Sequence, residues 1–200
     1  MTRPAPTLET MTGAGIPPLL PALSRLRIAV FRDWPYLYDG DAAQEETYLG
    51  SFLRGPNAAI VVARDAAGEP IGCATCIPAM EADAGVRQAL ARGGVDAARA
   101  CYFGESVLLP AHRGQGIGAG FFAAREAHAR ALGLTAAAFC AVVRNVNDPR
   151  RPPGYAPLDD FWRRRGYAPR LDMSLVIPWR EVGDDRETPH SLGFWVKDPL

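Results

Sequence analysis

The sequence has no excess of charge of either sign. Its 200 residues carry 22 Lys and Arg against 22 Asp and Glu, which gives a formal net charge of zero. A domain that binds nucleic acid with its whole surface is strongly basic, so this balance argues against nucleic acid as a partner. The balance leaves room for a small local basic site that would hold a phosphorylated ligand.

Long hydrophobic runs are also missing. No apolar stretch approaches the roughly 20 residues that span a bilayer. The first ten residues, MTRPAPTLET, lack the apolar block of a secretory signal. These two absences predict a cytoplasmic protein with no membrane partner.

The sequence has few candidate metal ligands, with 4 Cys and 3 His. Cys73 and Cys76 form a CxxC, but no second CxxC and no nearby His completes a zinc set. Both lie in the strand-like run PIGCATCIPAM, and side chains three residues apart on a strand point to opposite faces. We therefore expect reduced cysteines in the core and no metal.

What the sequence does contain is an alternation of helix and strand patterns, with 48% apolar residues. Leu19, Leu23 and Leu26 recur at three- or four-residue steps, which predicts one apolar face of a helix over residues 17–34. Two β-rich runs flank the turn DAAGEP and predict a hairpin over residues 58–80.

The remaining patterns continue this alternation. The other predicted elements are, in chain order, a strand TLETMT, a helix AAQEETYLGSFLR, a helical connection over residues 81–100, a strand CYFGESVLLP, a helix FFAAREAHARALG, a strand TAAAFCAVV, a short helix LDDFWRRRG and the strands DMSLVIPW and LGFWVKD. They predict one mixed α/β domain over residues 1–200, with a core at about 7–198.

The segment HRGQGIGAGFF, residues 112–122, places four glycines in front of the predicted helix at 121–133. Glycine weakens a helix by about 1 kcal/mol per residue relative to alanine. The first amides of a helix have no partner within the helix, and the helix dipole favours an anion there. Without a Cβ, glycine lets a phosphate reach those amides. The alternative is that the glycines only make a tight turn.

Two other phosphate-binding motifs fit this segment poorly. A P-loop needs Lys and a hydroxyl residue after its last glycine, but Ala119 follows Gly118. Gly114, Gly116 and Ala119 formally match a dinucleotide fingerprint. That fold also needs an acidic residue about 20 positions on for the ribose, and the next strand pattern, LTAAAFCAVV, has no carboxylate.

Strand and loop together, VLLPAHRGQGIGAGFF, resemble the acyl-CoA-binding motif of the GCN5-related N-acetyltransferase superfamily. Arg113, Gly116 and Gly118 fall on its pattern Arg/Gln-x-x-Gly-x-Gly/Ala, and FWRRRGYAP is similar to the helix-turn before the last strands of that family. The resemblance implies a mixed, largely antiparallel central sheet flanked by helices. It also implies direct acetyl transfer from acetyl-CoA, without a metal, to a small-molecule or peptide amine, and a possible homodimer.

The resemblance also assigns the residues that would hold the cosubstrate. Val107, Leu108 and Leu109 would lend backbone groups to the pantetheine arm, and the amide of Leu108 would face the thioester oxygen. The pyrophosphate would be held by the amides of Arg113, Gly114, Gln115, Gly116, Ile117 and Gly118.

Glu105 is the leading candidate for the general base. It lies in an apolar strand two residues before the predicted pantetheine segment. An apolar setting would keep this carboxyl ready to take up a proton near neutral pH. The alternative is a carboxylate at a strand end that is solvated or paired with an arginine.

The sequence departs from the family at the leaving group. Many members carry a tyrosine four residues before the glycine of the helix-turn, where it returns a proton to the CoA thiolate. Here that position is Trp162, and indole is not a useful acid. Tyr155, in PPGYAP, is the candidate substitute, and the alternative is that the thiolate leaves unaided.

The acceptor is the least defined part of the prediction. By family analogy, FRDWPYLYDGD would line its pocket, with Tyr36, Tyr38 and Asp39 as candidate contacts for a cationic amine through charge and cation–π contact. The alternative is an ordinary helix–helix loop. The connection at 81–100 either covers the pocket or serves as scaffold. Because of Trp162, a non-catalytic acyl-CoA-binding module is the alternative function, and a dinucleotide enzyme is a third.

Overall fold

One seven-stranded sheet forms the centre of the molecule. The computed structural model describes residues 5–52 and 54–200. The strands are β1 Thr7–Thr12, β2 Ala59–Arg64, β3 Pro70–Pro78, β4 Ala100–Leu108, β5 Ala136–Val142, β6 Ala168–Arg180 and β7 Glu187–Lys197. They are ordered β1-β2-β3-β4-β5-β7-β6. Among the described strands only β4 and β5 pair in parallel, so the predicted mixed, largely antiparallel sheet is confirmed.

Helices cover both faces of this sheet. They are α1 Leu20–Phe31, α2 Ala42–Phe52, α3 Ala84–Arg92, α4 Ile117–Ala131 and α5 Asp159–Arg163. On one face, Leu23 of α1 and Leu90 of α3 are buried in the same apolar cluster as Ile60 of β2. On the other face, Phe122 of α4 packs with Phe103 of β4. The fold is therefore a sheet between two helical layers.

The first helix is shorter than predicted. Two 3₁₀ turns, Gly13–Gly15 and Pro17–Leu19, precede α1, which ends at Phe31 rather than at residue 34. By length and composition alone, the helical stretch Gly13–Phe31 would be apolar enough to cross a membrane. In this fold Leu23 and Leu26 are buried in the core, so one face of α1 packs against the sheet.

Helix α4 begins earlier than predicted, at Ile117 instead of residue 121. Gly118 and Gly120 therefore lie inside the helix. A Cβ on Gly120 would be 2.2 Å from Cδ1 of Leu8 on β1, so a larger residue would not fit without movement. The close approach of β1 explains a glycine that a helix pattern alone does not predict.

Strands β4 and β5 separate after a short contact. They pair only through Ala100–Tyr102 of β4 and 136–138 of β5 among the described residues. Beyond that point β4 pairs with β3 alone. The register shifts by one residue around Thr75, so that Gly104 and Glu105 both lie opposite it as a β-bulge. The separation opens a wedge in the middle of the sheet, beside the bulge.

The helical connection at 81–100 contains one α-helix, which packs against the sheet. Its helix, α3, packs on β6, where a Cβ on Gly93 would meet the side chain of Met173 and one on Gly85 would meet Leu175. Strands β6 and β7 extend further than predicted. Residue 53, near the end of the second predicted helix, and residues 1–4, at the start of the predicted domain, lie outside the described residues.

Candidate active site

The turn before α4 has the conformation that its glycines permit. Gly114 and Gly116 have φ of +77° and +81°, in the left-handed region. Residues other than glycine rarely adopt this backbone conformation, because their Cβ comes too close to the following carbonyl oxygen. A Cβ built on either residue meets no atom within 4 Å. The space in front of this turn is therefore open, and the glycines are needed for the backbone itself.

The amides at this turn are unoccupied by protein acceptors. The first helical bond of α4 runs from the amide of Gly120 to the carbonyl of Gly116, at 3.1 Å. Within the described part of the chain, the amides of residues 114–119 donate to no backbone or side-chain acceptor. Arg113 is exposed beside them. Free amides at the positive end of a 15-residue helix fit the diphosphate of a CoA ester.

Strand β4 exposes one backbone edge toward the wedge. The amide of Leu109 bonds to the carbonyl of Ile71 on β3, at 3.0 Å. Because successive amides of a strand point to opposite edges, the amide of Leu108 points to the edge that β5 leaves open. Of the three residues assigned to the pantetheine arm, Leu108 thus presents its backbone to the wedge, while the backbones of Val107 and Leu109 face β3. Arg113 Nε lies 3.3 Å from the carbonyl oxygen of Leu108.

A cavity of about 440 Å³ lies on the other side of the wedge, between α1, α2 and the β6–β7 hairpin. Three sequence-predicted acceptor residues, Tyr36, Tyr38 and Asp39, line it, and so does Glu105. The other lining residues are Arg27, Phe31, Asp41, Gln44, Glu45, Tyr48, Tyr102, Gly104, Cys140, Ile177, Pro178, Trp179, Arg180, Asp185, Arg186, Glu187 and Leu192.

Glu105 is buried at the bottom of this cavity and is paired. Its side chain bonds through Oε2 to Nη1 of Arg27, at 2.8 Å, and Arg27 also bonds to Glu45 of α2. Glu105 is 6% exposed, and its other oxygen, Oε1, is buried without a protein hydrogen-bond partner. The carboxylate is therefore both paired with an arginine and left with one oxygen for a ligand.

The sequence profile of the acetyltransferase (GNAT) family matches residues 23–152. The chain belongs to this family. No curated protein sequence matches it significantly.

Several solved GNAT structures share the fold. The ribosomal-protein-alanine N-acetyltransferase from Brucella melitensis has a TM-score of 0.61 and 17% identity, covering 96% of this chain and 99% of its own. A GCN5-related N-acetyltransferase from Kribbella flavida has a TM-score of 0.57 and 18% identity, covering 96% and 98%. One from Rhodopseudomonas palustris has a TM-score of 0.59 and 15% identity, covering 99% and 98%. At these identities the likeness establishes the fold.

The two carboxylates of the loop at residues 31–41, Asp39 and Asp41, have partners within the protein. Asp39 pairs with Arg32 at 3.0 Å and with Arg180 at 2.9 Å. Asp41 caps α2, accepting bonds from the amides of Ala43 and Gln44 at 3.0 and 3.1 Å. These bonds fix the loop over the cavity. A role for Tyr36, Tyr38 and Asp39 in binding an acceptor stays a prediction.

Trp162 and Tyr155 lie in different surroundings. The Trp162 ring belongs to the aromatic cluster beside α4, with its centroid 5.1 Å from that of Phe139 and 5.0 Å from that of Trp195. Tyr155 is half-buried and makes an edge-to-face contact with Trp34, with the ring centroids 6.1 Å apart. It is not among the residues that line the cavity. Burial raises the pKa of Tyr155, so its hydroxyl keeps its proton at neutral pH. Its role as proton donor stays a prediction.

Several cavity residues were missed by sequence reasoning. The only signal for Arg27 was a charge four residues after Leu23, on the apolar face of the predicted helix. The Tyr102 hydroxyl lies 3.1 Å from Sγ of Cys140, and nothing in either strand pattern predicts that contact. Cys73 and Cys76 do lie in clusters on opposite faces of the sheet, as their spacing predicts. Among the described residues, no group of three or more His, Cys, Asp or Glu is placed to hold a metal.

Proposed function

We propose that this protein is an N-acetyltransferase that moves an acetyl group from acetyl-CoA directly to the amine of a small-molecule or peptide acceptor. Membership of the GNAT family assigns acyl transfer from acyl-CoA to an amine in general. The observation that carries the proposal is the alignment of three features around one wedge. These are the free amides at residues 114–119, the open edge of β4 at Leu108 and the unpaired Oε1 of Glu105.

The amides at the N-terminus of α4 would hold the diphosphate, with Arg113 adding charge beside them. The pantetheine arm would extend β4 sideways as an added strand, using the backbone of Leu108. When bound, acetyl-CoA supplies the acetyl group. The amide of Leu108 would donate to the thioester oxygen as it gains negative charge, and one such donor is worth about 3–4 kcal/mol of barrier in other enzymes.

Glu105 would act as the general base. An amine with a pKa of about 10.4 is neutral in only about one molecule in 2,500 at pH 7. A base that makes all of the bound amine neutral would therefore lower the activation barrier by about 4–5 kcal/mol. The amine nitrogen forms a bond to the thioester carbon, its proton passes to Oε1 of Glu105 directly or through water, and the C–S bond breaks.

The sulfur leaves as a thiolate and takes up a proton. Tyr155 would supply it. A thiol pKa of about 8.5 makes the thiolate a tolerable leaving group without help. Replacing Tyr155 with Phe should therefore lower kcat less than replacing the base.

Direct transfer is supported by the state of the only cysteine that lines the described cavity. Burial raises the pKa of the Cys140 thiol to about 11. The nucleophile of a cysteine enzyme is the thiolate. A thiol that burial keeps protonated is a weak nucleophile, which favours direct transfer over an acyl-cysteine intermediate.

CoA release over a panel of amines tests the function, with Glu105→Gln measured alongside. We expect kcat to fall at least 100-fold for Glu105→Gln, because general-base catalysis is worth about 10²–10⁴-fold. Glu45→Gln is the matched variant, since it also removes one carboxylate from Arg27. It should lower kcat by much less. Equal losses for the two variants would contradict the assignment of the base.

A non-catalytic acyl-CoA-binding module is the second candidate, favoured by the packing of Trp162 where the family has its acid. Binding of acetyl-CoA without CoA release for any amine would support it. Acetyl-CoA at 100 times its Kd should add about 2.7 kcal/mol to the free energy of unfolding. A comparable stabilisation by NADPH but not by acetyl-CoA would instead indicate a dinucleotide enzyme. Four free cysteines support a cytoplasmic location.

A further inference from the structure

The charged side chains that line the cavity favour a positively charged group on the acceptor over a negatively charged one. Its lining contains six carboxylates, Asp39, Asp41, Glu45, Glu105, Asp185 and Glu187, and three guanidinium groups, Arg27, Arg180 and Arg186. Carboxylates therefore outnumber guanidinium groups by two to one. A positively charged group entering this cavity is favoured, and a negatively charged one is opposed.

The imbalance is sharpest at the bottom of the cavity. Glu45 and Glu105 are 2% and 6% exposed and share one guanidinium, that of Arg27. On the opposite face of the sheet, Arg125 donates to the main-chain carbonyl of Glu105 and not to its carboxylate. Oε1 of Glu105 is left as a buried acceptor without a donor. An ammonium group, with three donors, meets that need.

The guanidinium groups of buried Arg27 and of exposed Arg180 are already engaged. Arg27 is bound by Glu45 and Glu105, and Arg180 is bound by Asp39. Arg186 is exposed in the turn between β6 and β7, at the rim. A carboxylate carried beside the ammonium would lie near Glu105 and would have to displace a protein carboxylate from Arg27.

The walls fit a flat, apolar body. Phe31, Tyr36, Tyr48, Tyr102 and Trp179 supply rings, and Ile177, Pro178 and Leu192 supply aliphatic surface. Arg27 itself lies 5.0 and 4.8 Å from the ring centres of Phe31 and Tyr48, so these rings already face a cation. Aromatic faces attract ammonium groups in the same way.

We infer that the acceptor is a primary amine on a short linker to an aromatic or apolar body, without a carboxylate beside the amine. This inference rests on the proposed acyl transfer and narrows its substrate. It excludes free α-amino acids, in which the ammonium and the carboxylate share one carbon. Glu45 thereby becomes a specificity-determining residue, because it occupies the side of Arg27 that would otherwise attract a substrate carboxylate.

Tyramine, tyrosine and tyrosine methyl ester test the inference as acceptors with acetyl-CoA. The three share one ring and one amine, and only tyrosine carries the carboxylate. We expect kcat/KM for tyramine to exceed that for tyrosine by about tenfold or more, because like charges are strongly disfavoured at a desolvated contact. The methyl ester should resemble tyramine. Rejection of ester and tyrosine alike would show that bulk, not charge, is selected, and would overturn the inference.

Two variants distinguish a loss of charge recognition from a general loss of activity. In Glu45→Gln, Arg27 gains a free face, so the preference for tyramine over tyrosine should fall about tenfold even if both rates drop. Glu9→Gln, an exposed glutamate on β1, should leave that preference unchanged. An unchanged preference in Glu45→Gln would contradict its role.

Failure of the inference and failure of the function are distinguishable. CoA release with tyrosine as fast as with tyramine, or only with amines of another kind, overturns the acceptor class and leaves acyl transfer standing. No CoA release with any amine overturns both.

Discussion

Glu105 is bound by an arginine on each face of the sheet, through its side chain on one face and through its main chain on the other. On the α1 side, Arg27 bonds to the carboxylate of Glu105 and to Glu45. On the α4 side, Arg125 bonds to the main-chain carbonyls of Glu105 and Thr75, both at 3.4 Å, and lies over Phe103. Both guanidinium groups are buried, at 9% and 1% exposure, yet only one has a carboxylate partner.

The charges respond differently to these surroundings. Burial lowers the pKa of Arg27, but Glu105, followed by Tyr48 and Glu45, raises it by more, so it lies above its ordinary value. For Arg125 burial prevails, and the pKa lies below its ordinary value. Around Glu105, the α1 side thus uses paired side-chain charges, whereas the α4 side uses main-chain carbonyls and an aromatic ring. The proposed acceptor and CoA sites follow the same division.

The largest loss of stability is expected when Arg27 is removed from the α1 side. Arg27→Met would leave two carboxylates buried without a cation, which typically costs about 3–5 kcal/mol. We expect a loss of that size in the free energy of unfolding by urea. Arg25→Met, an exposed arginine on the same helix, should change it by less than about 0.5 kcal/mol. Adding Glu45→Gln to Arg27→Met should recover part of the loss, and no recovery would argue against the pairing.

Two glycines, one at each end of α4, test whether the backbone amides before this helix bind acetyl-CoA. Gly116 and Gly133 have φ of +81° and +74°, and a Cβ on either meets no atom within 4 Å. Either Ala substitution should destabilise the fold by about 1–2 kcal/mol, since both force a left-handed conformation. Only Gly116→Ala should also raise the Kd for acetyl-CoA, by about tenfold or more. Isothermal titration with both variants measures this, and equal affinities would refute the amide site.

Arg125→Met sharpens the comparison with Arg27→Met. It removes a buried charge that has no carboxylate partner, which relieves a cost, but the carbonyls of Thr75 and Glu105 lose a donor. These effects oppose each other, so we expect a net loss of only about 1 kcal/mol in the same urea experiment. A loss as large as that of Arg27→Met would mean that the two guanidinium groups are equivalent.

The smallest effect is expected at Cys140, on the cavity side. Its thiol pKa of about 11 means that it is protonated at neutral pH and reacts slowly with iodoacetamide. Cys140→Ala should keep kcat within about threefold, because no covalent step passes through it. Loss of all CoA release in a folded Cys140→Ala protein would instead point to an acyl-enzyme.

Much of the fold follows from local patterns. The hairpin of β2 and β3, strand β4 and the helix after the glycines were all predicted, because apolar periodicity and turn residues act over a few positions. The motif around Arg113, Gly116 and Gly118 led to the correct family. The start of α4 was predicted four residues late, since the glycine that β1 packs against looks like a helix breaker when Leu8 is not considered.

The candidate site was predicted less completely. Glu105, Tyr36, Tyr38 and Asp39 were named and do meet at one cavity. The partners that determine their chemistry were missed, because Arg27 is 78 residues from Glu105 and Trp179 is 143 from Tyr36 in sequence. Periodicity reports which face of an element is buried, but not which element covers it.

The sequence by itself determined the order of elements, the family and the glycine turn at the head of α4, because each depends on neighbouring residues. Only the tertiary structure decided that Glu105 is shared between two buried arginines from opposite faces and keeps one oxygen unpaired. That outcome depends on how α1, α2 and α4 pack against one β-bulge, and packing between distant segments leaves no local pattern in the chain.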